Sequence, residues 1–234
     1  MTKVLFRTDS YLQTSPARII ETRGHAVFLV QTVFYPTGGG QPGDQGTLHL
    51  EDGTSLTITT TCYDPEDKAI LHILSEGSQI PGAGIQVTCQ IDWDNRYKLM
   101  RMHSALHILC SKVDGPVTGG SIGTDKGRLD FDIEIAPDKD ALAAAINQEI
   151  AADHPLSIGE ISDEELNQNP DLIRTMSVSP PRGQGSVRTI TIANVDYQPC
   201  GGTHVRSTRE IGNIRIGKIE KKGKMNRRIN IHFE

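Results

Sequence analysis

Hydrophobic and polar positions divide the chain near residue 94. Before it, short apolar segments rich in β-branched and aromatic residues recur between turn signals. Ala26–Val30 and Gln31–Tyr35 read as strands, as do Thr47–Leu50 and Ser55–Thr61, which flank Asp52-Gly53. An Asp-Gly pair between such segments is a hairpin signal because Gly tolerates positive φ. Ala69–Leu74 and Ile85–Ile91 follow, separated by the Gly- and Pro-bearing stretch Gly77–Gly84. Short strands at this spacing predict a small barrel. From Asn95 to Val113 the period changes to that of a helix, with Leu99, Met102, Leu106, Leu109 and Val113 on one stripe. Asp92 or Asp94 is placed to cap it and Gly115-Pro116 to end it. A Gly-rich loop (Gly119, Gly120, Gly123) then leads to a strand over Arg128–Ile135 and an Ala-rich helix over Asp138–Asp153. Ser162 with Glu165 forms a capping-box pattern for a short helix stopped near Pro170. Ser186–Ala193 reads as a strand, and Gly212–Ile219 with Arg227–Phe233 as a closing hairpin. The expected organisation is a β-barrel domain over 1–94 and an α+β domain over 95–234.

The 234 residues are 36% hydrophobic and 23% charged, the composition of an ordinary soluble protein. Met1–Ser15 shows no basic-then-apolar leader, and no apolar run approaches the ~20 residues that span a bilayer. A cytoplasmic protein without a membrane partner is the expectation. The four cysteines, Cys62, Cys89, Cys110 and Cys200, are widely spaced. In a reducing compartment such thiols are buried or bind metal rather than form disulfides. The net charge of −5 argues against a nucleic-acid partner until its distribution is read. Arg206–Arg228 carries nine of the 24 basic residues and two of the 29 acidic ones, leaving 15 and 27 elsewhere. A basic strip on an acidic body can attract phosphates locally, or simply be a solvated hairpin. Its dense part is Lys218, Lys221, Lys222, Lys224, Arg227 and Arg228, with Gly223 at the expected hairpin tip.

His103 and His107 stand four apart on the predicted helix, so both imidazoles reach one face. Cys200-Gly201-Gly202-Thr203-His204 supplies a second pair, with glycines that allow a tight fold. Cysteine and histidine are favoured zinc ligands, and two such pairs in one chain predict a shared zinc site. Core histidines with a buried thiol are the alternative. Ser104 stands where a zinc-protease helix would carry its glutamate, which removes that reading. Cys110 lies ~10 Å along the helix from His103 and is assigned to the core. Gly38-Gly39-Gly40-Gln41-Pro42-Gly43 matches G-x-G-x-x-G formally. No helix follows it, and no acidic residue stands twenty positions on, so a dinucleotide site is rejected. A flexible loop able to approach a ligand, or a plain turn, remains. There is no Walker-type motif, and no ATP site is expected.

Arg101-Met102-His103-Ser104-Ala105-Leu106-His107, the Gly38–Asp44 loop and Cys200-Gly201-Gly202-Thr203-His204-Val205 together resemble the AlaX alanyl-tRNA editing proteins. These are free-standing relatives of the editing domain of alanyl-tRNA synthetase, and a preceding barrel resembles their medium-length members. The resemblance implies a small β-barrel beside an α/β two-layer sandwich. It also implies hydrolysis of seryl- or glycyl-tRNA wrongly made on alanine tRNA, and a Zn2+ held by His103, His107, Cys200 and His204. Synthetase-embedded relatives commonly carry threonine just before the second histidine, where this chain has Leu106. For the substrate pocket the expected positions are Thr37, Gly38, Gly39, Gly40, Gly43, Gly119 and Ser121, with Thr37 or Ser121 reading serine's hydroxyl. For tRNA they are the basic residues of the strip. A monomer is favoured. Two rivals stand beside this reading: a non-catalytic RNA-binding module with structural zinc, and a zinc hydrolase of another aminoacyl ester.

Overall fold

The computed structural model describes residues 2–176 and 185–234. Two compact units emerge, Met1–Tyr97 and Lys98–Glu234. In the first, β1 (Lys3–Val4) pairs in parallel with β4 (Gln31–Thr32). A closed six-stranded barrel is built from β2 (Thr14–Arg23), β3 (Ala26–Leu29), β5 (Gly46–Leu50), β6 (Ser55–Tyr63), β7 (Ile70–Leu74) and β8 (Gln86–Ile91). Its order is β2-β3-β7-β6-β5-β8. Closure satisfies both edges of every strand, and the inward residues, among them Ile19, Leu29, Leu48, Ile58, Val87 and Cys89, form one apolar cluster.

The expected strand over Gln31–Tyr35 is cut to Gln31–Thr32. Side chains have taken the backbone groups that a ladder would need. Arg96 donates to the Val33 carbonyl at 2.7 Å, and the Tyr35 N–H donates to Asp44 Oδ2 at 2.5 Å. The Gly38–Gly43 loop is also tighter than the sequence suggests. Gly38 and Gln41 exchange two backbone hydrogen bonds across Gly39 and Gly40, whose φ values are +57° and +82°. Both central residues at positive φ make a turn that favours glycine. Gly43 is needed for another reason: a Cβ there would lie 1.8 Å from the Thr61 carbonyl oxygen.

The second unit is organised around α1 (Trp93–Lys112), which begins at the end of the first. Asp92 caps it, accepting from the Asn95 N–H at 3.1 Å. A four-stranded sheet runs β14-β15-β10-β9, from β9 (Val117–Ser121), β10 (Lys126–Asp132), β14 (Ile214–Lys221) and β15 (Asn226–Phe233). One face meets the helices. Met102 and Leu106 of α1 lie where a Cβ on Gly127 would be, and Asn147 of α2 (Lys139–Ala151) bonds both backbone groups of Ile214. Helices on one sheet face make a two-layer α+β sandwich. The segment read as a Gly-rich loop after α1 is therefore an edge strand over Gly119 and Gly120. A second sheet joins β11 (Leu156–Ser162), β12 (Ser186–Ile192) and β13 (Asp196–Pro199). The capping box at Ser162 opens α3 (Asp163–Gln168), with both reciprocal hydrogen bonds formed. Among the described residues, no helix is long and apolar enough to cross a membrane.

Candidate metal centre

Helical spacing sets the first half of the site. His103 and His107 leave the same face of α1, with ring centroids 5.2 Å apart. The second half follows β13: Cys200 opens the loop and His204 closes it. His204 stacks 4.2 Å from His103 and 4.8 Å from His107, centroid to centroid. One ligand atom from each of the four residues lies within 4.8 Å of all the others. Cys200 Sγ stands 3.5 Å from His103 Nε2 and 3.3 Å from His204 Nε2. Zinc bonds of about 2.1 Å to nitrogen and 2.3 Å to sulfur give a tetrahedral N···S edge of about 3.6 Å. Donor chemistry and spacing both fit that ion. Cys110 lies outside the group, and burial pushes its thiol up to about 11.

Residues outside the motifs hold this geometry. His107 Nδ1 is 2.7 Å from Asp196 Oδ2, so an N–H donated to that carboxylate turns Nε2 toward the cluster. Gln198 donates to the same oxygen at 2.7 Å. His204 Nδ1 meets Ser104 Oγ at 3.2 Å, and that hydroxyl also accepts from the Val205 N–H at 3.3 Å. Ser104, notable in the sequence only for not being glutamate, is thus the partner of His204, 100 residues away. Hydrogen bonds of this kind fix the tautomer and orientation of a metal-binding imidazole. Arg188 of β12 donates to the carbonyls of Cys200, at 2.6 Å, and Gly202, at 3.0 Å, clamping the loop. None of Asp196, Gln198 or Arg188 has a spacing signal. Only the pairing of β12 with β13 brings them to the ligands.

Charge and burial shift Cys200, His204 and His107. Burial opposes ionising Cys200, but the charge of His103 and hydrogen bonds from His103 and His107 outweigh it, and the thiol falls well below its usual range. Burial and the neighbouring His103 charge keep His204 neutral. Burial would also lower His107, yet its hydrogen bonds to Asp196 and Cys200 carry it up to about 10. A thiolate and neutral imidazoles are the donor forms that a metal requires, so Cys200 and His204 are in donor form, whereas His107 must lose a proton to bind.

The other expected site residues have local partners within their own units. Thr37 Oγ1 donates to the Thr61 carbonyl at 3.2 Å and accepts from the Gly43 N–H at 2.9 Å, so its hydroxyl ties the glycine loop together. Ser121 is exposed and in register with Arg128, on the sheet face opposite the one α1 covers, and Gly119 is in register with Asp130 on that same outer face. Leu106 packs the helix against Gly127, an apolar role with no hydroxyl to offer. In the basic strip, Arg227 is buried and donates to the Gly223, Lys224, Asn226 and Glu134 carbonyls. Arg228 pairs with Asp130 at 2.8 Å and Lys222 with Glu220 at 2.9 Å. Lys218, Lys221 and Lys224 make no ion pair among the described residues.

Two family descriptions match the chain. Residues 187–230 match the threonyl and alanyl tRNA synthetase second additional domain, and residues 4–95 match class II (A) tRNA synthetases. The alanyl-tRNA editing protein AlaX-M of Methanosarcina acetivorans is 36% identical, with 98% of each chain covered. AlaX-M of Saccharolobus solfataricus is 34% identical at the same coverage. An alanine–tRNA ligase of Pyrobaculum neutrophilum is 33% identical over 94% of this chain, which spans 25% of that enzyme.

Proposed function

Since the chain belongs to the AlaX family of alanyl-tRNA editing proteins, we propose that it hydrolyses serine, and glycine, wrongly esterified to alanine tRNA. The observation that carries this is the convergence of His103, His107, Cys200 and His204 in a chain that aligns end to end with editing proteins. Water adds to the ester carbonyl carbon, the bond to the terminal ribose oxygen breaks, and that oxygen takes the proton. The ester is already activated, so no ATP is required.

When bound to these four residues, zinc supplies Lewis-acid charge that orients the aminoacyl group and helps activate water. The chain does the rest by positioning. Asp196 and Ser104 aim His107 and His204 inward, and Arg188 holds the Cys200 loop in place. Asp196, the carboxylate bonded to His107, is also engaged by Gln198, which suits an orienting group better than a free base. Rejection of alanine requires a group that pairs with serine's hydroxyl and is left unpaired by alanine. Leu106 supplies none. Lys218, Lys221 and Lys224 are the members of the basic strip proposed to meet tRNA phosphates.

One observation favours a second reading. Four protein donors around one point describe a closed site, as in structural zinc, and would suit a non-catalytic RNA-binding module. Deacylation of Ser-, Gly- and Ala-tRNA, all on alanine tRNA, by native and metal-stripped protein separates the two. Zinc-dependent release of serine or glycine with alanine spared is expected. Undiminished turnover after stripping would remove the metal from the reaction, and tight tRNA binding with no hydrolysis would establish the binding module.

A further inference from the structure

The outer face of the four-stranded sheet, opposite α1, has two electrostatic halves. Toward the hairpin tip Arg128, Arg228 and Lys222 are neutralised. Asp130 pairs with both Arg128 and Arg228 at 2.8 Å, and Glu220, in register with Arg228, pairs with Lys222. At the other end three neighbouring strands place Lys126, His232 and Arg215 in one row: Lys126 is the register partner of His232, and His232 that of Arg215. None of the three makes an ion pair or a side-chain hydrogen bond among the described residues. Glu234, two residues beyond His232, pairs with none of them. The His232 ring lies against Gly217, where a Cβ would come within 2.7 Å of Nε2, so the glycine leaves the imidazole its place in the row. Burial lowers the pKa of His232, and the charges of Arg215 and Lys126 lower it further, so both cations lie within its electrostatic reach.

An arrangement that sets two permanent cations around an imidazole, with no ion pair to either among the described residues, is relieved by an anion. Strand spacing of about 4.8 Å puts the outer Cα atoms about 10 Å apart, a gap that the long arms of lysine and arginine close around one tetrahedral group. We propose that Lys126, Arg215 and His232 form a phosphate-binding row that holds the backbone of the RNA partner on the outer sheet face. The choice of RNA rests on the functional reading above. The row adds a surface distinct from the hairpin-tip lysines of that reading.

The test is binding of a short RNA hairpin with a single-stranded 3′ end, measured over a salt series for the parent, Lys126→Ala/Arg215→Ala and Arg128→Ala proteins. Each lost phosphate contact flattens the log–log salt slope by about 1, so the double variant should lose about 2. Its low-salt affinity should fall on the order of ten-fold. Arg128→Ala, whose charge is shared with Asp130, should change the slope by less than half as much. RNA should also shift the His232 imidazole resonances. An unchanged slope in the double variant, an equal effect of Arg128→Ala, or no RNA binding by the parent at low salt each overturns the proposal. Inorganic phosphate that shifts His232 while RNA does not would make the row a small-anion site and overturn the RNA assignment. Failure of the parent to hydrolyse Ser-tRNA, with the slope change present, leaves the row standing and removes the deacylase reading.

Discussion

Replacing Asp44 by alanine removes one partner from a fully buried ion pair, and the structure fixes what is left behind. The Arg96 side chain is 0% exposed and that of Asp44 1%. Arg96 Nε donates to both carboxylate oxygens, at 2.9 and 3.1 Å, and Nη2 donates to Oδ2 and to the Val33 carbonyl. Nη1 donates to the Ser10 carbonyl at 2.9 Å. The same carboxylate accepts from the Tyr35 N–H. Alanine at 44 leaves a guanidinium charge in the interior with two carbonyls for company, and a buried backbone donor with none. Such a loss costs about 3–5 kcal/mol, a large part of the 5–15 kcal/mol that holds a domain together. Trp93, the one tryptophan, packs against the barrel cluster and reports on this unit by fluorescence. With a urea m-value of roughly 2.5 kcal/mol per molar, the midpoint should fall by about 1–2 M. Asp44→Leu/Arg96→Met, which removes both charges, should recover part of that loss. A cost below about 1 kcal/mol for Asp44→Ala would refute the reasoning, since it would mean that water reaches Arg96 once its partner is gone.

Asp196→Ala should weaken zinc binding about 10- to 100-fold with the fold intact, because His107 loses the acceptor that aims its ring. Chelator competition measures this, and unchanged affinity would exclude an orienting role. His72 gives a pH prediction. It is buried in the barrel with Nδ1–H on the Val27 carbonyl at 3.0 Å and Nε2 2.8 Å from the Thr32 hydroxyl, and burial lowers its pKa from 6.5 to about 4. The unfolded chain takes up the proton first, so the stabilisation is complete above about pH 6.5 and is lost as pH falls toward 4. The loss should reach about 2 kcal/mol at pH 5 and about 3 kcal/mol below pH 4, at about 1.4 kcal/mol per pKa unit. Urea midpoints between pH 7 and 4.5 should show this slope in the parent and not in His72→Gln. An equal slope in both would assign the acid sensitivity to other groups.

The elements legible in the sequence are those that bury large side chains at a regular period. The stripe from Leu99 to Val113 and the β-branched segments of β6 and β8 are of this kind. The strands left unnamed lack that signal. β2 points Ser15, Ala17 and Ile19 inward around Pro16, so its alternation is carried mostly by small residues. β11 buries only Ile161 fully, and β9 is two-fifths glycine and so has few side chains to show a pattern. The convergence of the quartet was legible because each half is local, His103 with His107 and Cys200 with His204. Its supporting residues were not. Asp196, Gln198 and Arg188 acquire their roles only when β12 and β13 pair, and Ser104 only when a loop 100 residues away folds over it. Charge in the strip was counted correctly, but its availability depends on Asp130, Glu220 and the carbonyls around the hairpin tip, which lie elsewhere in sequence or on the backbone.

Within the quartet, each half joins residues four apart, while His103 and Cys200 are separated by 97 positions. A metal ion held by all four is therefore a cross-link in the topological sense, closing a chain segment nearly as long as a small domain. Loop-closure entropy places the worth of such a link near 4–5 kcal/mol, set by the separation rather than by the metal. Each half alone closes almost no loop, so a chain with only one pair engaged gains almost none of it. The stabilisation is then present only where the two pairs meet.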